Sequence, residues 1–113
     1  MGDAGEVLQG TLEMLVLKAL TLQPMHGWGI GQRIDQLARG AFTVPQGSLY
    51  PALQRMIRKG LIRSEWRVSE NKRRARYYII TRAGHARLEE EAAEWQRTSR
   101  AVNAILRAAP AEG

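Results

Sequence analysis

Four cations fall within five positions of this chain: Lys72, Arg73, Arg74 and Arg76, in the run Glu70-Asn71-Lys72-Arg73-Arg74-Ala75-Arg76. Like charges packed so closely repel one another, and a polyanion relieves that repulsion. The bias reaches well beyond the run. From Gln54 to Arg82 there are ten Lys/Arg and two Asp/Glu, a balance of +8, whereas the remainder carries seven basic and nine acidic residues, or −2, giving the whole-chain +6. The chemistry on offer is therefore ionic and hydrogen-bonded recognition of a phosphate backbone.

A second polar set precedes the basic run. Gln46, Tyr50, Gln54, Arg55 and Arg58 lie off the apolar stripe of a helical pattern formed by Leu49, Leu53, Met56 and Ile57. Gln and Arg can bond base edges in a major groove, and Tyr and Ser hydroxyls suit phosphates. The plainer account is an ordinary solvated face whose Arg55, Arg58 and Lys59 complement the helix C-terminal dipole. Catalysis has less to work with. His26 and His85 have no partner at useful spacing, and Glu89-Glu90-Glu91 reads as a solvated helix segment. His85 with Glu89, one turn apart, would hold a divalent metal only weakly, so the expectation is no enzyme, no cofactor and no metal.

The elements that must position these groups follow from periodicity. Residues 1–7 are small and polar and are expected to be disordered. A first helix starts at Gly10-Thr11, with Thr11 as its cap and Leu12, Leu15, Val16, Ala19 and Leu20 inward. A second runs from about Gly27 to Arg39, burying Ile30, Ile34, Leu37 and Ala38, with its glycines packed closely against a neighbouring helix. Gly40 ends it. Ser48 is expected to cap the third helix with Pro51 in its first turn, unless the helix begins a residue or two earlier, and Gly60 stops it. Leu61–Val68 and Arg76–Thr81 read as strands joined by the polar 69–75 loop. On adjacent strand positions Tyr77 and Tyr78 must face opposite ways.

Thr81 opens the longest helix, about Arg82 to Ala109, roughly 40 Å long. Its Leu88, Ala92, Trp95, Ser99, Val102, Leu106 and Ala109 alternate steps of four and three, a heptad-like seam. A helix that outreaches its own domain is expected to pack against a second copy. The order α-α-α-β-β-α, mostly α with a small β component, is that of a winged helix-turn-helix, with residues 8–81 as the winged domain, 82–109 as the dimerisation helix and 110–113 as a tail. The partner expected is duplex DNA, because a helix-turn-helix with a wing suits a duplex major groove; no platform of interleaved aromatics is present. A winged helix that docks an acidic protein surface without specific DNA binding is the alternative.

At 113 residues this is one domain or one with an extension, and the absence of cysteine fits a reducing cytoplasm. The start lacks the positive region of a signal peptide, and Gln9, Glu13 and Lys18 interrupt the first apolar stretch, so no membrane span is expected.

Five segments together resemble the PadR-type transcriptional regulators: Leu8-Gln9-Gly10-Thr11-Leu12, His26-Gly27-Trp28-Gly29-Ile30, Gly47-Ser48-Leu49-Tyr50-Pro51-Ala52-Leu53, Lys59-Gly60-Leu61-Ile62 and Arg76-Tyr77-Tyr78-Ile79-Ile80-Thr81. The resemblance spans about Leu8 to Leu106 and is similar to the compact branch with one C-terminal helix. It implies a homodimeric repressor on a pseudo-palindromic operator, a recognition helix over about Gln46–Lys59 and a wing over about Val68–Arg76. By the same resemblance Ser48, Tyr50 and Pro51 approach DNA at the start of that helix. Two positions depart from the pattern. Trp28 stands where Tyr is commoner, and is expected to be a core substitution; the wing lacks the frequent Gly-Arg-Pro-Arg. Trp95 anchors the seam or, as in some similar regulators, stacks on a planar aromatic effector that releases the repressor.

Overall fold

The computed structural model describes residues 9–68 and 70–111. The expected disorder of residues 1–7 therefore lies outside the described residues, as do the last two residues of the tail. Along the chain the elements are α1 (Gln9–Leu22), β1 (Met25–His26), α2 (Gly27–Leu37), α3 (Gln46–Arg58), β2 (Ile62–Val68), β3 (Arg74–Ile80) and α4 (Arg82–Leu106).

The apolar stripes of the first three helices meet in one core. Val16, Leu17, Ile30, Leu49, Leu53 and Met56 are wholly buried there, each large side chain contributing about 1.5–3 kcal/mol of transfer free energy. Ile62 and Tyr78 close the core from the sheet. The expected glycine packing holds for two of the three α2 glycines: a Cβ on Gly27 would meet the Tyr50 ring at 2.7 Å, and one on Gly31 would touch Leu49 at 3.6 Å, whereas one on Gly29 would meet only the capping His26 at 3.2 Å. Leu37, expected inside, is exposed, because it sits in the last turn of α2 beyond the reach of the core.

Several boundaries differ from the expected ones for local reasons. α1 is already helical at Gln9, so Thr11 lies inside the helix and does not cap it. α3 begins at Gln46 with Pro45 as its cap, and the Pro45 carbonyl accepts from both Ser48 and Leu49 N–H at 3.0 Å. Ser48 is thus the third helical residue and Pro51 the sixth, where the missing N–H leaves the Gly47 carbonyl without its usual intrahelical bond. α2 stops at Leu37, and Arg39 and Gly40 both take left-handed backbone (φ 53° and 79°) to reverse the chain. Asp35 Oδ1 then accepts from Val44 N–H at 3.1 Å, pinning the connector to α2. The α3 terminus is as expected: Gly60 (φ 74°) allows Leu61 N–H to reach Met56 and Gly60 N–H to reach Ile57, which satisfies two last-turn carbonyls.

The sheet is antiparallel, in the order β1-β3-β2. The two-residue β1 was not foreseen. It pairs Met25 with Tyr78 and His26 with Tyr77, and so ties the start of α2 to the last strand. β3 begins at Arg74, two residues earlier than expected, and pairs with β2 from Val68–Arg74 to Ile62–Ile80. Thr81 caps α4 as expected, its Oγ1 accepting from Gly84 N–H at 3.1 Å. α4 ends at Leu106, short of Ala109, since the residue before Pro110 is disfavoured in helical backbone. It spans about 37 Å, and the molecule measures 70 × 28 × 22 Å because most of that helix projects from the domain.

Candidate nucleic-acid interface

α3 turns its apolar side inward, which fixes what it can present. Gln46, Ser48, Tyr50, Pro51, Gln54 and Arg58 are all exposed. Arg55 departs from the expected grouping. Its Nε donates to Glu13 on α1 at 3.3 Å, and Lys59 Nζ reaches the same carboxylate at 3.2 Å. Glu13 thus draws these two cations to the flank of the helix and leaves Gln54 and Arg58 as the outward polar groups of its second half.

The hairpin sorts its charges by face, as the two-residue period of a strand requires. On one face Glu65 gathers Arg63 at 3.8 Å and Arg67 through Nε at 2.9 Å, while the Arg67 guanidinium lies 5.3 Å from the centre of the Tyr77 ring. The other face carries Trp66, Val68, Arg74 and Arg76 at the outer end, and the buried Tyr78 and Ile62 at the inner end. There Arg74 stacks 5.1 Å from the centre of Trp66, and Arg76 Nε donates to Ser64 Oγ at 2.8 Å. Lys72 sits at the tip with a left-handed backbone (φ 60°). Lys72, Arg73, Arg74 and Arg76 are all exposed, and none makes an ion pair among the described residues. Burial pushes the Tyr78 hydroxyl above its ordinary pKa; the Arg76 guanidinium pulls it back and Tyr50 adds a small push upward. Tyr50 of α3 and Arg76 of the wing line the same concavity as Tyr78, so the start of the helix stands beside the wing strand.

Between α2 and β3 lies a cleft of about 710 Å³, lined by Trp28, Arg33, Tyr50, Arg73, Arg74 and Arg76 among others. Trp28 corrects an expectation: it is not a core residue but is 56% exposed. The preceding His26 explains why. Its Nδ1 accepts from Gly29 N–H at 3.1 Å and caps α2, its ring stacks on Trp28 at 6.3 Å, and it meets the Tyr77 ring nearly perpendicularly at 5.7 Å. Trp28, Arg33 and Trp66 were missed by sequence reasoning. Trp66 had a signal, since the strand period places it on the face of Arg74 and Arg76; Trp28 had none, because its direction depends on β1.

α4 begins against the domain and then leaves it. Leu88 packs on the core and Ala92 is half-buried, while Trp95, Val102, Ile105 and Leu106 are exposed. Arg87–Glu91 at 3.4 Å and Arg97–Glu94 pair along the polar side. Among the described residues no helix is long and apolar enough to cross a membrane, and no group of three or more His, Asp or Glu is placed to hold a metal.

Residues 16–90 match the family model described as the transcriptional regulator PadR-like family. A transcriptional regulator of Mycobacterium tuberculosis is 32% identical over 97 residues, covering 86% of this chain and 87% of that protein. Among solved structures, a PadR-like transcriptional regulator from Bacillus cereus superposes with a TM-score of 0.79 at 29% identity, covering 90% of this chain and 97% of that one. A PadR family regulator from Eggerthella lenta gives 0.73 at 32% identity, with coverages of 89% and 86%.

Proposed function

The chain belongs to the PadR-like family of transcriptional regulators, and from that membership we propose that it is a sequence-specific, duplex-DNA-binding homodimer that acts in the cytoplasm as a repressor. The observation that carries this reading is the set of four wing cations without ion-pair partners among the described residues, standing beside the exposed polar side of α3. In this reading α3 enters the major groove. Gln46, Gln54 and Arg58 meet base edges, Ser48, Tyr50 and Pro51 approach the backbone, and Arg55 serves from the flank. Lys72, Arg73, Arg74 and Arg76 take phosphates and supply the sequence-independent share of affinity.

Leu88, Ala92, Trp95, Val102 and Leu106 form the seam with a second copy, which covers Trp95, Val102 and Leu106, side chains that a lone subunit leaves in water. Two-fold pairing sets the recognition helices about 34 Å apart and calls for a pseudo-palindromic operator. Release follows when a planar aromatic effector stacks on Trp95 and binds the two dimer geometries unequally. The test is a binding-site selection with the purified protein. The expected result is an enriched inverted repeat with half-sites one helical turn apart; recovery of unenriched sequence would reject the proposal.

A further inference from the structure

We propose that the cleft between α2 and β3 seats one sugar–phosphate strand of the bound duplex, with Trp28 and Arg33 as its outer wall. This rests on the DNA-binding reading above and adds a third contacting element to α3 and the wing. Four arginines line the cleft (Arg33, Arg73, Arg74 and Arg76), and none has an ion-pair partner among the described residues. The contacts that two of them do make leave their charge uncompensated: Arg74 lies on the Trp66 ring and Arg76 donates to a serine hydroxyl. Glu70 is the one carboxylate among the lining residues. A concave site with this balance favours an anionic occupant.

Three features make that occupant a polymer rather than a small anion. First, a single carboxylate satisfies one or two guanidinium groups, whereas a strand with a charge on every nucleotide can meet all four. Second, the cleft shares lining residues with both proposed DNA-reading elements, Tyr50 with α3 and Arg73, Arg74 and Arg76 with the wing. Tyr50 of α3 lies across the start of α2, where only a glycine at position 27 leaves room for its hydroxyl, and Arg73 leads out to the wing tip. Third, β1 covers β3 only at Tyr77 and Tyr78, so the edge of β3 from Arg74 to Arg76 has no strand partner on that side among the described residues. Trp28, held outward by its stack on His26, offers a flat apolar surface to the deoxyribose beside the phosphates. Such contacts carry register and affinity, not sequence information.

The chain has three tryptophans, so replacing Trp66 and Trp95 with Phe leaves Trp28 as the sole reporter. In that protein a random-sequence duplex at low salt is expected to shift Trp28 emission to the blue and shield it from iodide, with both effects reversed by added salt. Arg33→Gln is expected to weaken binding to a selected operator and to the random duplex by the same factor, about three- to tenfold, and to lower the salt slope by roughly one per subunit. Trp28 emission and iodide access unchanged at saturating duplex, or Arg33→Gln binding both duplexes as the wild type does, would overturn the proposal and leave the regulator reading standing. Shielding by benzoate without shielding by duplex would overturn it in favour of a small anion. A wild-type protein that retains no duplex at all would take the regulator reading down first, and this proposal with it.

Discussion

Replacing Gly84 with alanine sets two effects of opposite sign against each other. In an open helix the change stabilises by about 1 kcal/mol, because alanine is the better helix former. Gly84 is instead buried against the domain. A Cβ there would stand 2.2 Å from the Leu61 carbonyl oxygen, 2.7 Å from Ile80 Cγ1 and 3.2 Å from Leu17 Cδ2. The carbonyl cannot withdraw, since it accepts from Thr81 N–H at 3.1 Å and from Thr81 Oγ1 at 2.9 Å. The start of α4 must shift, straining its cap and lifting Leu88 from the core. Overpacking of this kind costs about 1–3 kcal/mol, and partial loss of Leu88 burial adds about 1 kcal/mol. After the propensity gain, a net loss of about 2 kcal/mol remains. Urea denaturation at fixed protein concentration measures it, because self-association would couple to apparent stability. With a slope of about 1–3 kcal/mol per M, the midpoint should fall by roughly 1 M. Gly47→Ala is the control: among the described residues nothing beyond its chain neighbours and its own helical backbone lies within 4 Å of the added Cβ, so its midpoint should hold or rise. An unchanged or raised midpoint for Gly84→Ala would refute the packing argument.

Thr81→Val removes the α4 cap and the bonds to Gly60 and Leu61 while keeping the side-chain shape; a loss of about 1–2 kcal/mol in thermal unfolding is expected. Burial raises the Tyr78 pKa above its unfolded value of 10.0, so the neutral phenol contributes stability that is fully present below pH 10 and lost as pH rises through the folded value. Tyr78→Phe should therefore flatten the alkaline decline of the denaturation midpoint, and an identical decline would remove the assignment. Arg73→Ala with Arg74→Ala should weaken binding to every duplex and lower the salt slope by about 3 to 4 per dimer, read by anisotropy titrations across salt. Gln54→Ala should leave that slope intact and relax base preference at one position per half-site in a repeated selection.

The helices were legible because their cores repeat with the helical period: Leu12, Val16, Ile30, Ile34, Leu49, Leu53 and Met56 all landed inside. Gly60 and Thr81 were legible because their turn and cap chemistry is local. What escaped depends on partners distant in sequence. A two-residue strand has no period to detect, and β1 exists only because Tyr77 and Tyr78 lie alongside it. Without β1 the outward stance of Trp28 could not be inferred, nor the cleft it lines. Arg55 looked free because Glu13, forty-two residues earlier, shows its nearness only in the folded chain. The wing cations were readable as a set, while the stacking of Arg74 on Trp66 and the bond from Arg76 to Ser64 needed the register against β2.

One residue, Thr81, separates β3 from α4. Its amide and hydroxyl are fastened to Leu61 and Gly60, so strand and helix turn together like the two arms of a bell-crank. With about 37 Å of helix as the long arm, a rotation of roughly 5° becomes about 3 Å of travel at the far end. In the proposed dimer, a slight re-angling where two such arms cross would thereby be felt at the tips of both hairpins, and the stiffness that holds one spacing would also convey any departure from it.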